Sequence, residues 1–352
     1  MPVRFLLKNL FMLKVNINIQ PIYVGRGSLI KLPLFFSSDY AIKKKHQVSA
    51  LRYQDLKRKD NIYIICCITR DCTCQEKYKK QCTRGFFSLY LQAVYGIRFA
   101  LRYKLTYYID FGNGWYSYSD PEKFDGDMNF WNYYFDQSLQ RVEVYKAQHS
   151  TLDLYYETYP LRIWHKKFIR ELSDITRKHI VLKEDVKAII EHKLQIFKQQ
   201  KILGVHIRGT DHYTEMEPVP VSRIIKIIDK KRKKFDKIFL ATDDESILHT
   251  LLNKFGSDAL IYHQASRSSD KVGVHTNTIS HNRYQLGLEA LTDCYCLAHC
   301  AEAVLVHSNL SYTALVLNPH LPYTLMETRK SMIKRVKTNL LYTLDRWGIR
   351  IL

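Results

Sequence analysis

Acidic residues are scarce in this chain. Its 352 residues carry 34 Asp and Glu against 54 Lys and Arg, a formal net charge of +20 at pH 7. An imbalance of that size points to an anionic partner: nucleic acid, an anionic membrane face or a phosphorylated small molecule. Other absences narrow the choice. No zinc-finger spacing, homeodomain-like helix or RNA-recognition signature accompanies the basic runs at 43–45, 57–59, 77–80 and 230–234, so no nucleic-acid partner is expected. The eight cysteines form two groups, Cys66, Cys67, Cys72, Cys74 and Cys82, then Cys294, Cys296 and Cys300. Neither group has the paired C-x-x-C spacing of a zinc site. The expectation is therefore no metal, and a reduced, cytoplasmic setting with disulfides in the first group as the minor alternative. The opening stretch MPVRFLLKNLFMLKV is apolar but broken by Arg4, Lys8 and Lys14. It is too short to span a bilayer and lacks a small-residue cleavage site. It reads as a buried first element, or as a surface-lying anchor in peripheral contact with an anionic membrane. Neither a GxxxxGK[ST] loop nor a GxGxxG fingerprint occurs, which excludes a P-loop and the usual dinucleotide turn.

What is present is a globular composition, 46% hydrophobic and 25% charged, on a chain too long for one ordinary core. Two α/β domains are expected, one over 1–180 and one over 200–326. A tail, 327–352, is expected to pack back on the first.

From residue 200 the pattern is regular. Short apolar runs at ILGVHI (202–207), KIFLAT (237–242), DALIY (258–262), AVLVHS (303–308) and PYTLM (322–326) read as strands. Between them, Val221, Ile224, Ile225 and Ile228 mark one helix face, and Ile247, Leu248, Leu251, Leu252 and Phe255 another, with Gly256 as its stop. NRYQLGLEALTDCYCLAHC predicts a long helix with Leu286, Ala290, Asp293, Leu297 and Cys300 on one face. SYTALVLN predicts a last helix. Strands alternating with helices imply a parallel, doubly wound sheet, buried on both faces. Polar residues gather at its carboxyl strand ends, where such sheets bind ligands: His206, Arg208 and Asp211 after the first strand, Asp243 and Asp244 after the second, His307, Ser308 and Asn309 after the fourth. Each also has a plain structural role open to it. Asp243 or Asp244 can cap the following helix, as can Asn309 or Ser311, and Arg208 can pair with Asp211.

The turn LVHSNLSYTALVL runs strand, polar turn, helix. A helix amino end offers unpaired N–H groups and a positive dipole end, which suits a phosphate. Ser308 and Asn309 add donors, and Arg208 adds a guanidinium from a neighbouring strand. Asp293 falls on an apolar helix stripe, and a carboxylate there must be bonded to something: the paired N–H donors of a guanine base, or a buried ion pair.

HIRGTD, KIFLATDDESIL and HNRYQLGLEALTDCYCLAHCAEAVLVHSNLSYTAL, in that order over roughly residues 200–318, resemble the α1,6-fucosyltransferases, the core N-glycan and rhizobial nodulation-factor enzymes of the O-fucosyltransferase-like superfamily. The resemblance implies a GT-B fold of two Rossmann-like domains facing a cleft, 1–180 on the acceptor side and 200–326 binding the nucleotide sugar, and a metal-independent, inverting transfer from a GDP-sugar, usually GDP-fucose, to a glycan acceptor with no cofactor. It matches Arg208 to the arginine that neutralises the donor pyrophosphate, His206 and Asp211 to the box histidine and aspartate, and Asp243 and Asp244 to the paired acids after the second strand. It matches Asp293 to the residue that holds guanine, and Ser308 and Asn309 to the phosphate turn. The family's second box arginine is Gly209 here, which puts donor identity in doubt more than donor binding. Glu215 is the first candidate for the base that deprotonates the acceptor, with Glu217 and Asp211 behind it. Two alternatives stand beside this reading: a GT-B enzyme using another nucleotide sugar, and a polyanion-binding protein that is not an enzyme.

The first half predicts a helix bearing Phe87, Tyr90, Leu91, Val94, Ile97 and Leu101, then the strand LTYYIDF. The rings of Trp115, Tyr116, Tyr118, Phe130, Trp131, Tyr133 and Tyr134 suit either an acceptor-stacking platform or, more simply, a packed core.

Overall fold

The computed structural model describes residues 18–24, 28–34, 61–65, 84–112, 115–140, 148–150, 162–210, 218–269, 273 and 282–346. The chain divides into two compact units, residues 1–49 with 339–352, and residues 50–338. In the first unit β1 (Asn18–Val24) and β2 (Ser28–Leu34) form an antiparallel pair. The opening stretch 1–15, the cysteines from Cys66 to Cys82, and Asp211, Glu215 and Glu217 lie outside the described residues.

The second unit is α/β with two parallel sheets. Its smaller sheet starts with a βαβ crossover: β3 (Asn61–Ile65), α1 (Phe86–Tyr103) and β4 (Thr106–Ile109). Helix α1 stops at Lys104, whose left-handed backbone (φ 55°) returns an N–H to Ala100. Most of the expected apolar positions of α1 are buried, but Leu101 is 42% exposed because it lies in the last turn, beyond the cover of its neighbours. Next come α2 (Trp131–Tyr134), β5 (Phe135–Asp136) and β6 (Gln148–Ser150), the last of which pairs parallel with β3. Then follow α3 (Lys166–His179), β7 (Val181–Leu182), which pairs antiparallel with β5, α4 (Glu184–Lys193) and α5 (Gln195–Gln199).

The aromatic stretch after β4 is core. Tyr116, Tyr118, Phe130, Trp131, Tyr133 and Tyr134 are all buried, and Trp115 alone of the seven is exposed. Phe111 stacks on Phe130 at 5.2 Å, and Phe86 meets Tyr118 and Tyr134 edge-on. Buried Asn129 ties the stretch to the strand, accepting from Phe111 N and donating to the Ile109 carbonyl. A sugar-stacking platform is thus ruled out for six of the seven rings, because each spends its faces on its neighbours.

The larger sheet holds five parallel strands in the order β10–β9–β8–β11–β12. They arrive as β8 (Ile202–Ile207), α6 (Val221–Lys231), β9 (Lys237–Thr242), α7 (Glu245–Phe255), β10 (Leu260–Ile261), α8 (Arg283–Ala298), β11 (Glu302–Val306), α9 (Asn309–Leu317) and β12 (Tyr323–Met326), with α10 (Arg329–Arg346) last. Every residue of β8 is buried, as a central parallel strand requires. Ile224 and Ile228 of α6, and Ile247, Leu248, Leu251 and Phe255 of α7, join Leu203, Val205, Ile207, Ile238, Leu240, Val304 and Val306 in one core. Strand β10 is shorter than DALIY suggested. Helix α8 also differs from expectation: Tyr284, Gly287, Leu288, Leu291, Cys294, Cys296, Leu297 and Ala298 are buried around most of its girth, since it packs against β8, β9, α4 and α9 at once. Helices α1, α3 and α9 pack on one another, with Arg98 of α1 bonded to Glu171 of α3 at 2.7 Å. Among the described residues no helix is long and apolar enough to cross a membrane.

Candidate functional site

The strand order fixes where a ligand belongs. From β8 the chain winds outward through β9 to β10, then returns by α8 to β11 on the other side of β8. The winding reverses between β8 and β11. At such a switch point the loops leaving two adjacent strands diverge and open a crevice at their carboxyl ends.

His206 and Arg208 leave β8 on one lip of that crevice; His307, Ser308 and Asn309 leave β11 on the other. The lips touch. His206 Nδ1 lies 2.7 Å from Ser311 Oγ and 3.2 Å from Ser308 Oγ, with all three residues buried. Ser308, and neither Asn309 nor Ser311, caps α9: its Oγ accepts from Ser311 N at 2.9 Å. The first turn of α9 carries no acid, so its positive end is not offset locally.

Arg208 turns toward β9. Its Nε lies 4.0 Å from Asp243 Oδ2, the two side chains being 26% and 28% exposed. Asp243 also accepts from Gly209 N at 2.8 Å and Thr210 Oγ at 2.6 Å, so this carboxylate holds the loop that carries Arg208. Asp244 caps α7, accepting from Ile247 N at 3.1 Å and Ser246 Oγ at 2.6 Å. A capping role was open to either acid, and Asp244 fills it.

Gly209, where the family pattern has an arginine, sits against that cap. A Cβ there would lie 2.5 Å from Asp244 Cβ and Oδ2 and 2.6 Å from Ile247 Cδ1. No side chain fits while Asp244 stays in place.

Asp293 lies on α8 and is 8% exposed. Its Oδ1 is 2.7 Å from Nδ1 of His263, just past β10. The sequence left a pairing open for this carboxylate, and the structure supplies a largely buried one, the two side chains being 13% and 11% exposed. His263 Nε2 lies 3.9 Å from Cys296 Sγ, and burial pushes the thiols of Cys294, Cys296 and Cys300 up, so they stay protonated.

Three more participants, besides His263, escaped the sequence reading. Arg162, from the segment before α3, donates through Nη1 to Asn309 Oδ1 at 2.6 Å. Glu327, after β12, lies 2.6 Å from His307 Nε2 and is gripped by Arg335 of α10 through Nε at 2.7 Å and Nη2 at 2.8 Å. Trp164 packs edge-on to the His307 ring at 5.0 Å. These partners come from distant segments, and no local motif announces them. The HNRY segment has a docking role: Tyr284 stacks on Tyr134 at 5.2 Å and accepts its hydroxyl hydrogen at the backbone carbonyl, while Arg283 lies over Trp115.

No protein-family model and no curated protein sequence matches this chain. Solved structures align with it at low identity. The α-1,6-fucosyltransferase NodZ, known from Bradyrhizobium, aligns in a form soaked with GDP-fucose at 17% identity, over 78% of this chain and 96% of that one, with a TM-score of 0.48. FUT1 of Arabidopsis thaliana in complex with GDP aligns at 11% identity, over 82% and 75%, with a TM-score of 0.40. POFUT1 in complex with GDP-fucose aligns at 8% identity, over 88% and 87%, with a TM-score of 0.34.

Proposed function

We propose that this chain is a glycosyltransferase that moves a sugar, fucose by the pattern of its boxes, from a GDP-linked donor to a glycan hydroxyl. One observation carries the reading. The reversal of winding between β8 and β11 has the arginine box on one side and the Ser308–Asn309 turn on the other, with His206 joined to Ser308 across it. Both lips offer groups suited to a diphosphate: a guanidinium, hydroxyls and an uncompensated helix amino end.

In this reading the acceptor oxygen attacks the anomeric carbon as the bond from that carbon to the phosphate oxygen breaks. The departing GDP keeps the electron pair. Arg208 and the amino end of α9 stabilise the growing negative charge in the role a metal ion plays elsewhere. The acceptor proton passes to a carboxylate, Glu215 first, then Glu217 or Asp211. Attack from the face opposite the leaving group inverts the anomeric centre. A cleft between two Rossmann-like halves, GT-B in style, would admit donor and acceptor together. Asp293, already bound by His263, has its second carboxylate oxygen for the base.

The departure at Gly209 keeps another GDP- or UDP-sugar in play as donor. A thermal-shift panel of GDP, UDP, ADP and CMP separates the readings. Selective stabilisation by GDP is expected; equal response to all four, or to none, removes the GDP-sugar assignment.

A further inference from the structure

The Asp293 carboxylate bonds through one oxygen only. Its Oδ1 takes His263 Nδ1 at 2.7 Å, and among the described residues no other group bonds to it. The side chain is enclosed, yet it keeps 11% of its surface open. A carboxylate oxygen so placed without a donor is costly, and a ligand bearing N–H groups would satisfy it.

His263 is fixed from several sides. Its ring packs on Phe239 of β9 at 5.3 Å, and Arg267 donates to its backbone carbonyl at 2.6 Å. Ser266 N donates to Glu289 Oε2 at 3.0 Å, which ties the same loop to α8. The two ring nitrogens have distinct partners. Nδ1 is the donor to Asp293, since a carboxylate only accepts. Nε2 faces Cys296 Sγ at 3.9 Å. Burial keeps the hydrogen on that sulfur, so Nε2 is the acceptor and the tautomer is set. The contacts run from Cys296 to His263 to Asp293, and they leave Oδ2 for a ligand.

The pair also stands in a suitable place. Strand β10 lies two strands out from β8, about 10 Å at the usual strand spacing. With a diphosphate between β8 and β11, the base of the same nucleotide would lie toward the end of β10.

We propose that His263 is a positioning residue for base recognition: by holding Oδ1 it turns Oδ2 of Asp293 to accept the N1–H and exocyclic N2–H of guanine, and so sets the choice of guanine over bases that lack this donor pair. This assignment rests on the GDP-sugar reading above. Adenine presents an acceptor at N1, and hypoxanthine keeps the N1–H but lacks the amine.

The test uses the full chain with GDP, IDP and ADP, each affinity being measured by calorimetry. IDP differs from GDP only by the missing amine. In the wild type GDP should bind about tenfold or more tighter than IDP, the worth of one bond to a charged acceptor. In His263→Leu that preference should shrink to within about twofold, too small a ratio for such a bond. His263→Asn carries an amide N–H near the place of Nδ1 and should restore the wild-type preference. A merely structural role predicts instead that GDP and IDP weaken together in His263→Leu, with their ratio unchanged. That result overturns the proposal, as does a His263→Leu protein that binds like the wild type, or a His263→Asn protein that does not regain the ratio. Should His263→Leu fail to fold, the ratio is read in His263→Gln, whose amide falls on the Nε2 side; a wild-type ratio there overturns the proposal and a lost one supports it. A wild type that binds GDP no better than ADP removes the GDP-sugar reading and this assignment together. A wild type that prefers GDP to ADP but not to IDP removes this assignment alone.

Discussion

A methyl group added at residue 209 meets the Asp244 side chain at 2.5 Å on two atoms. That contact is far inside van der Waals range, and its near side is a helix cap fixed by Ile247 N and Ser246 Oγ. Relief requires the cap to move. Gly209→Ala should therefore cost stability by overpacking, about 1–3 kcal/mol, read as a lower midpoint in thermal or urea unfolding. An unchanged midpoint would mean that the loop after β8 adapts freely, and the steric account of the missing arginine would fall. Arg208 tests the chemistry instead of the packing. Its side chain is partly exposed and its ion pair with Asp243 is long, a geometry that contributes little to folding. Arg208→Ala should keep the unfolding midpoint within a few degrees and abolish sugar transfer; retained turnover would strip Arg208 of its role. The sequence could place His206, Arg208, Ser308 and Asn309 at strand ends because each follows an apolar run directly. It could not find Arg162, His263 or Glu327, since these enter the site through contacts across the fold and stand in no motif.

At the level of elements, the hinge of the site is a three-part latch. Glu327 joins the end of β12 to Arg335 of α10 and to His307 at the end of β11. Burial holds His307 below its ordinary value, against the pull of Glu327, so the neutral ring carries its proton on Nε2 and donates it to the carboxylate. Burial pushes Glu327 up, but the hydrogen bonds from Arg335 and His307 and the charge of Arg335 outweigh it and leave the carboxyl below its ordinary value. Both groups therefore bind protons more readily unfolded than folded. The stability they supply is present above their unfolded values, about 6.5 for His and 4.3 for Glu, and drains as pH falls through the lower folded values. Glu327→Gln should thus be less stable than the wild type at pH 7, and the gap should narrow as pH falls below about 4.3. Thermal unfolding from pH 7 to pH 3.5 reads it directly; a gap of constant size would show that the Glu327 charge is not what the latch uses. The strands and helices of this sheet were legible because period 2 and period 3.6 leave plain traces in KIFLAT and in Ile224–Ile228. Helix α8 was less so: it is enclosed by two strands and two helices, so Leu286 and Ala290 do not mark its buried side, and Gly287 is needed where Tyr134 comes closest. The aromatic stretch 115–134 was ambiguous for a similar reason, since ring content does not say whether a ring faces a sugar or another ring.

The whole molecule carries +20, and that charge makes its own prediction, separable from the site. Lysine-rich runs such as 230–234 lie on exposed or half-exposed positions around α6. A surface of this kind attracts any polyanion, and the attraction comes mainly from released counterions. Binding to heparin or to a nucleic-acid homopolymer should therefore collapse as salt rises from about 50 to 200 mM, by roughly a thousandfold where six or more anionic groups are contacted. A diphosphate bound in the crevice as proposed would engage Arg208 and a helix end, too few charges for so steep a response, and partly sheltered from screening. GDP affinity should fall less than about tenfold over the same range, and GDP should go on raising the unfolding midpoint in salt that has already stripped the polymer away. If the two losses run in parallel, the diphosphate is held by the general field of the surface and not by the lips of the switch point. The polyanion-binding alternative would then be the better account of why this chain has so few acids.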